Sequence, residues 1–92
     1  MGDGISIERP DRKKLDSLGV DTWPIWKKGI STFHWSYDTE ETCYILEGKA
    51  RVKAESGETA EFGPGDLVVF PRGMRCQWDI TQAIKKHYRM GS

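Results

Sequence analysis

Ninety-two residues bound this chain to one domain, residues 1–92, whose small size limits the share of surface it can bury. Fourteen Lys and Arg cancel fourteen Asp and Glu, and no continuous basic run appears, so the expectation is no nucleic-acid partner. No apolar stretch approaches the ~20 residues of a membrane span and the N-terminus lacks a signal peptide's apolar segment, so no membrane partner is expected either. Two cysteines allow one disulfide and no framework of several, which points to a reduced, cytoplasmic protein, or an organellar one if a transit peptide has been removed.

In chain order, residues 1–4 read as a flexible polar tail, and Ile5-Ser6-Ile7-Glu8 alternates like a short edge strand. Asp11 offers an N-cap, Leu15 and Leu18 fall three apart, and Gly19 supplies a stop, so a brief helix is expected here as a lid over one barrel end. Trp23-Pro24-Ile25-Trp26 is dense in apolar surface, while Pro24 removes a ladder donor; an edge strand or covering segment follows, packed in the core or at a subunit contact. Within residues 30–37, Phe33, Trp35 and Tyr37 share one parity and Thr32, His34 and Ser36 the other, giving an aromatic and a polar face. His34 therefore reads as a surface residue.

The next strand places Glu41, Cys43 and Ile45 on one face and is expected to end at Gly48. Residues 49–55 and 59–62 alternate around Ser56-Gly57-Glu58 as a hairpin whose charged members face solvent. Gly63-Pro64-Gly65-Asp66 and Pro71-Arg72-Gly73 are turns that flank the apolar strand Leu67-Val68-Val69-Phe70. Cys76, Trp78 and Ile80 then share a face. In residues 84–90, Ile84, Lys86, Tyr88 and Met90 oppose Lys85, His87 and Arg89, which leaves His87 either solvent-facing or at a sheet edge.

This glycine and proline placement resembles the cupin superfamily. Gly29, and Glu41 followed by Gly48, match the ends of its first motif, G-x5-H-x-H-x3-4-E-x6-G. Gly65, Pro71 and Gly73 match the start of its second, G-x5-P-x-G-x2-H-x3-N. The string from Trp35 and Tyr37 through Thr42-Cys43-Tyr44-Ile45-Leu46-Glu47-Gly48, with Arg75-Cys76-x-Trp78 and Lys86-His87-Tyr88, is similar to small proteins of the (S)-ureidoglycine aminohydrolase cupin domain family. The resemblance implies an all-β fold: an antiparallel jelly-roll barrel of the RmlC-like type over residues 23–90, with a short N-terminal helix. It also implies a ligand site at the barrel mouth, where the three histidine positions carry Trp35, Tyr37 and Cys76, the asparagine position carries Ile80, and only Glu41 is retained.

Three functions follow from that substitution. In the first, Glu41, Tyr37 and Cys76 form a catalytic set acting on a small polar metabolite, a hydrolase similar to ureidoglycine aminohydrolase. In the second, a metal-free binding module holds a small planar or cationic molecule by stacking in an aromatic cup of Trp35, Tyr37 and Trp78, with Glu41 as the polar anchor; Trp35, Cys43, Trp78, Arg75 and His87 are the ligand-binding candidates. In the third, a structural dimer keeps its cup packed shut. The cofactor stays open: Cys76 and Glu41 are legitimate donors, but two ligands seldom hold a metal, so no metal residues are assigned. If Glu41 enters the cup its carboxylate needs a partner, for which Arg75, Tyr37, His87 or a metal are the candidates, unless it is a rim carboxylate bonded to backbone. The four tryptophans suggest a homodimer. Both thiols are expected free, Cys76 nearer the mouth and the more reactive.

Overall fold

The computed structural model describes residues 4–91, so the expected tail lies outside the described residues except for Gly4. In chain order it contains β1 (Ser6–Glu8), α1 (Arg12–Leu18), a 3-10 turn (Val20–Thr22), β2 (Ile25–Lys28), β3 (Ser31–Ser36), β4 (Glu41–Ala54), β5 (Thr59–Phe62), β6 (Leu67–Phe70) and β7 (Arg75–Met90). All strand pairs are antiparallel. The architecture is the expected all-β jelly-roll type.

Two long strands, β4 and β7, pair along their length and carry everything else. The first half of β4 takes β6 on its free edge and β6 takes β1, while the second half takes β5. The first half of β7 takes β3, and the second takes β2. The expected strand end at Gly48 is therefore an interruption inside one strand rather than its end. The ladder register shifts between Ile45 and Ala50, and Gly48 sits there at φ 93°.

The shift answers a parity problem. Before it, the odd residues Cys43 and Ile45 are buried; after it, the even residues Ala50, Val52 and Ala54 are buried, while Arg51 and Lys53 face solvent. A regular strand cannot change faces, whereas an extra residue at a bulge makes it do so. On β7 no change is needed, because Cys76, Trp78, Ile80, Ile84 and Lys86 all point inward. The two inner faces meet in one core, in which Phe70 stacks on Tyr37 with centroids 4.8 Å apart and meets Phe62 edge-on.

Helix α1 forms for the expected reasons. The Lys14 N–H donates to the Asp11 carboxylate at 2.9 Å, and Gly19 ends the helix at φ 69°. It is not the expected lid over one barrel end. Leu15 packs with Val20, Trp23 and Leu67 against Tyr44, on the outer face of β4 and β6, as a second small core.

Candidate functional site

Between the inner faces of β2, β3 and β7 a cleft of about 200 Å³ opens to solvent. Trp26, Phe33, Trp35 and Trp78 form its aromatic walls, and Tyr88 and Met90 complete its rim. The cup is not packed shut. Phe33 and Trp78 lie nearly parallel at 6.0 Å, and Trp26 meets Trp78 edge-on at 6.2 Å, so the walls present flat faces. Strand alternation explains the set: β3 contributes Phe33 and Trp35 from one parity, and Tyr37 follows on the same parity.

The floor is charged. Glu41, at the start of β4, accepts a hydrogen bond from the Lys86 ammonium at 3.0 Å, and both side chains are 6% exposed. Glu41 Oε2 also accepts from the Cys43 thiol at 2.9 Å, while Lys86 Nζ lies 3.3 Å from that sulfur. The same ammonium stands 4.7 Å from the ring centres of both Trp26 and Trp78. A cation between two indole faces, desolvated and paired with a carboxylate, is held by electrostatics from each side. Beside it the Tyr37 hydroxyl accepts from the Trp78 indole N–H at 3.1 Å. Burial pushes the phenol's pKa well up, and the charge of Glu41 adds to this, so Tyr37 stays protonated.

Of the residues singled out from sequence, Glu41, Tyr37, Trp35 and Trp78 come together at the cleft, with Cys43 beneath its floor. Cys76 points inward but does not line the cleft; its thiol lies 3.7 Å from the Trp35 carbonyl oxygen across the β3–β7 ladder. Burial first, and then Glu41, push its pKa up to about 11. Burial pushes Cys43 higher still. The two thiols are free, as expected.

Arg75 is exposed, on the opposite face of β7 from Cys76, so it cannot pair with Glu41. His87 is buried on the outer face instead, with Nδ1 2.8 Å from the Trp23 carbonyl oxygen. Strand alternation next to inward Lys86 puts it there. His34 is exposed, as its parity implies. The tryptophans mostly find cover within the chain: Trp23 and Trp78 are buried and Trp26 half-buried, leaving Trp35 exposed. Their number alone gives no case for a partner subunit.

Sequence reasoning missed Lys86, the partner of Glu41, together with Trp26, Phe33, Tyr88 and Met90 as lining residues. A signal for Lys86 was present. It is a lysine flanked at two-residue spacing by Ile84 and Tyr88 on the apolar parity of a strand, where a charge must find a partner or stay outside.

The profile of the EutQ-like cupin domain matches residues 15–88. This chain belongs to the EutQ-like cupin family. A solved DUF861-family protein from Thermotoga maritima is 49% identical to this cupin, with a TM-score of 0.93, covering 95% of this chain and 99% of its own. A putative ethanolamine utilization protein Q from Salmonella typhimurium is 24% identical with a TM-score of 0.66, over 73% of this chain and 54% of its own. The EutQ protein of Clostridium difficile is 19% identical with a TM-score of 0.67, over 73% and 52%. This cupin spans about half the length of those last two, and the likeness to them is one of fold. No curated protein matches it.

The metal that many cupins hold does not fit the residues present here. Among the described residues no group of three or more His, Cys, Asp and Glu side chains converges. The one retained carboxylate, Glu41, is bonded to an ammonium 3.0 Å away, which would repel a divalent ion at that position. Among the described residues no helix is long and apolar enough to cross a membrane.

Proposed function

We propose that this EutQ-like cupin is a metal-independent binder of a small planar molecule, in which the Lys86–Glu41 pair replaces the metal at the base of the cup. The observation that carries this reading is the Lys86 ammonium, lodged 4.7 Å from two indole rings and 3.0 Å from Glu41. That position is the aromatic cage a cationic ligand would occupy, and the chain fills it itself. What remains open is a flat-walled apolar cleft with few polar groups at its base, the usual composition of a small-molecule site.

Amide NMR spectra of chelator-treated protein, titrated with a library of single-ring fragments, test it. Binders should shift the indole N–H signals of Trp26, Trp35 and Trp78 without added metal. Shifts confined to other parts of the barrel, or seen only after divalent metal is restored, overturn the proposal.

A hydrolase resembling ureidoglycine aminohydrolase is the second reading, with Glu41 as acid or base. It ranks lower because that family's activity depends on a metal held by histidine-rich ligands, and the corresponding positions here carry Trp35, Tyr37 and Cys76. Metal-dependent ammonia release from ureidoglycine would reverse the order.

A further inference from the structure

The polar atoms left unengaged at the base of the cleft define the ligand's edge. Both hydrogen bonds to the Glu41 carboxylate fall on Oε2. Among the described residues no fully buried side-chain oxygen lacks a partner. Glu41 Oε1, which has no partner among them, is therefore not sealed in the core, and the surface Glu41 shows is the cleft it lines. It is a charged acceptor waiting for a donor.

Tyr37 supplies the complement. Its oxygen accepts the Trp78 indole N–H, so one lone pair is engaged, while its own proton meets no acceptor among the described residues. A phenol accepts through its oxygen and donates through its one hydrogen, so this arrangement turns the hydrogen away from the indole. Lys86 Nζ donates to Glu41 and Cys43, so one of its three hydrogens has no hydrogen-bond acceptor among the described residues, and Lys86 also lines the cleft. The base thus offers one anionic acceptor beside neutral and cationic donors.

Building on the reading of the cleft as a small-molecule site, we propose that it takes a neutral, single-ring planar heterocycle with a cis-amide (lactam) edge. The ring N–H donates to Glu41 Oε1, and the carbonyl oxygen accepts from Tyr37 and Lys86. The alternatives each meet an obstacle in this geometry. A carboxylate ligand would face the free oxygen of Glu41. A cationic ligand would face Lys86 in the place its charge requires. A fused or drug-sized ligand exceeds a cleft of about 200 Å³, small beside the ~300–1,000 Å³ of drug-sized sites. Flat apolar walls select a ring, and the split acceptor and donors select its edge.

The deciding comparison varies the ligand on the unaltered protein, so its outcome does not depend on the folding of a variant. Chelator-treated protein is titrated with 2-pyridone, 1-methyl-2-pyridone, benzoate and benzylamine, reading the Trp26 and Trp78 indole N–H signals. The expected result is saturable binding of 2-pyridone, with methylation of its nitrogen weakening binding at least about ten-fold, because the lost donor bonds to a charged acceptor. Benzoate and benzylamine should bind more weakly than 2-pyridone. Tyr37→Phe, which keeps the ring that stacks on Phe70, should weaken 2-pyridone as well. If benzoate, benzylamine or the methylated ring binds as tightly as 2-pyridone, the lactam inference is overturned while the cleft remains a small-molecule site. If no probe moves either indole signal, both readings fall.

Discussion

At the scale of single residues, Lys86 and Glu41 serve the fold and the site together. Each is 6% exposed, so removing one leaves the other's charge buried without its counter-ion. Lys86→Met, which preserves most of the side chain's volume, should cost roughly 3–5 kcal/mol in urea unfolding. Adding Glu41→Gln to it should restore most of that loss, since the double variant buries no net charge. Equal stability of the single variant and the parent would show that the pair is solvated. Sequence reading found Glu41 through its motif position but not Lys86, because lysine belongs to no metal motif and its partner lies 45 positions away in the chain.

The two thiols belong to the same scale. Cys76 is held up to about 11 by burial and by Glu41, against an ordinary value of 9.0. A thiol must ionise to react, so at neutral pH both sulfurs should be slow, and Cys76, less strongly shifted than Cys43, should react first as pH rises. Linkage has a definite sign here. The folded protein keeps the proton where the unfolded chain has lost it, so this contribution is complete below about pH 9 and is lost as pH climbs toward 11. Urea midpoints measured across that window should fall with pH, and fall less steeply in Cys76→Ala; a midpoint that rises would contradict the burial argument.

At the scale of elements, the bulge in β4 decides where every inner residue points. Gly48 permits it for two reasons: φ is 93°, and a Cβ there would lie 2.1 Å from the Ala83 carbonyl oxygen on β7. Gly57, at φ 98° in the hairpin turn, has nothing within 4 Å of such a Cβ. Gly48→Ala should therefore destabilise by at least about 2 kcal/mol more than Gly57→Ala, whose backbone cost alone is about 1 kcal/mol. Thermal unfolding of the two variants compares them directly, and similar losses would remove the close approach as the cause. The sequence showed the glycine and the turn chemistry, and it showed Glu41, Cys43 and Ile45 inward with Lys49, Arg51 and Lys53 outward. All six are odd-numbered. Only a change of parity between Ile45 and Ala50 makes both statements true, and that change depends on the facing strand, which one segment read alone does not contain.

At the scale of the whole molecule, the helix and the cleft lie on opposite faces of the long strands, each with its own apolar cluster. Alternation along β7 sends Lys86 to one cluster and His87 to the other. Aromatic content was legible as a property of β3, but the wall opposite it was not, because Trp26 reaches the cleft only after β2 pairs with the far half of β7. The cup that results is an apolar space whose central cation is part of the chain. Nitrogen-detected NMR of the lysine ammonium groups at neutral pH, with and without stoichiometric zinc, tests this most directly. One slowly exchanging ammonium is expected, assigned to Lys86 by its loss in Lys86→Met, with protons shifted upfield by the two indole rings and unchanged by zinc. An Lys86 signal at the position of solvated lysines, or one that zinc displaces, would contradict it.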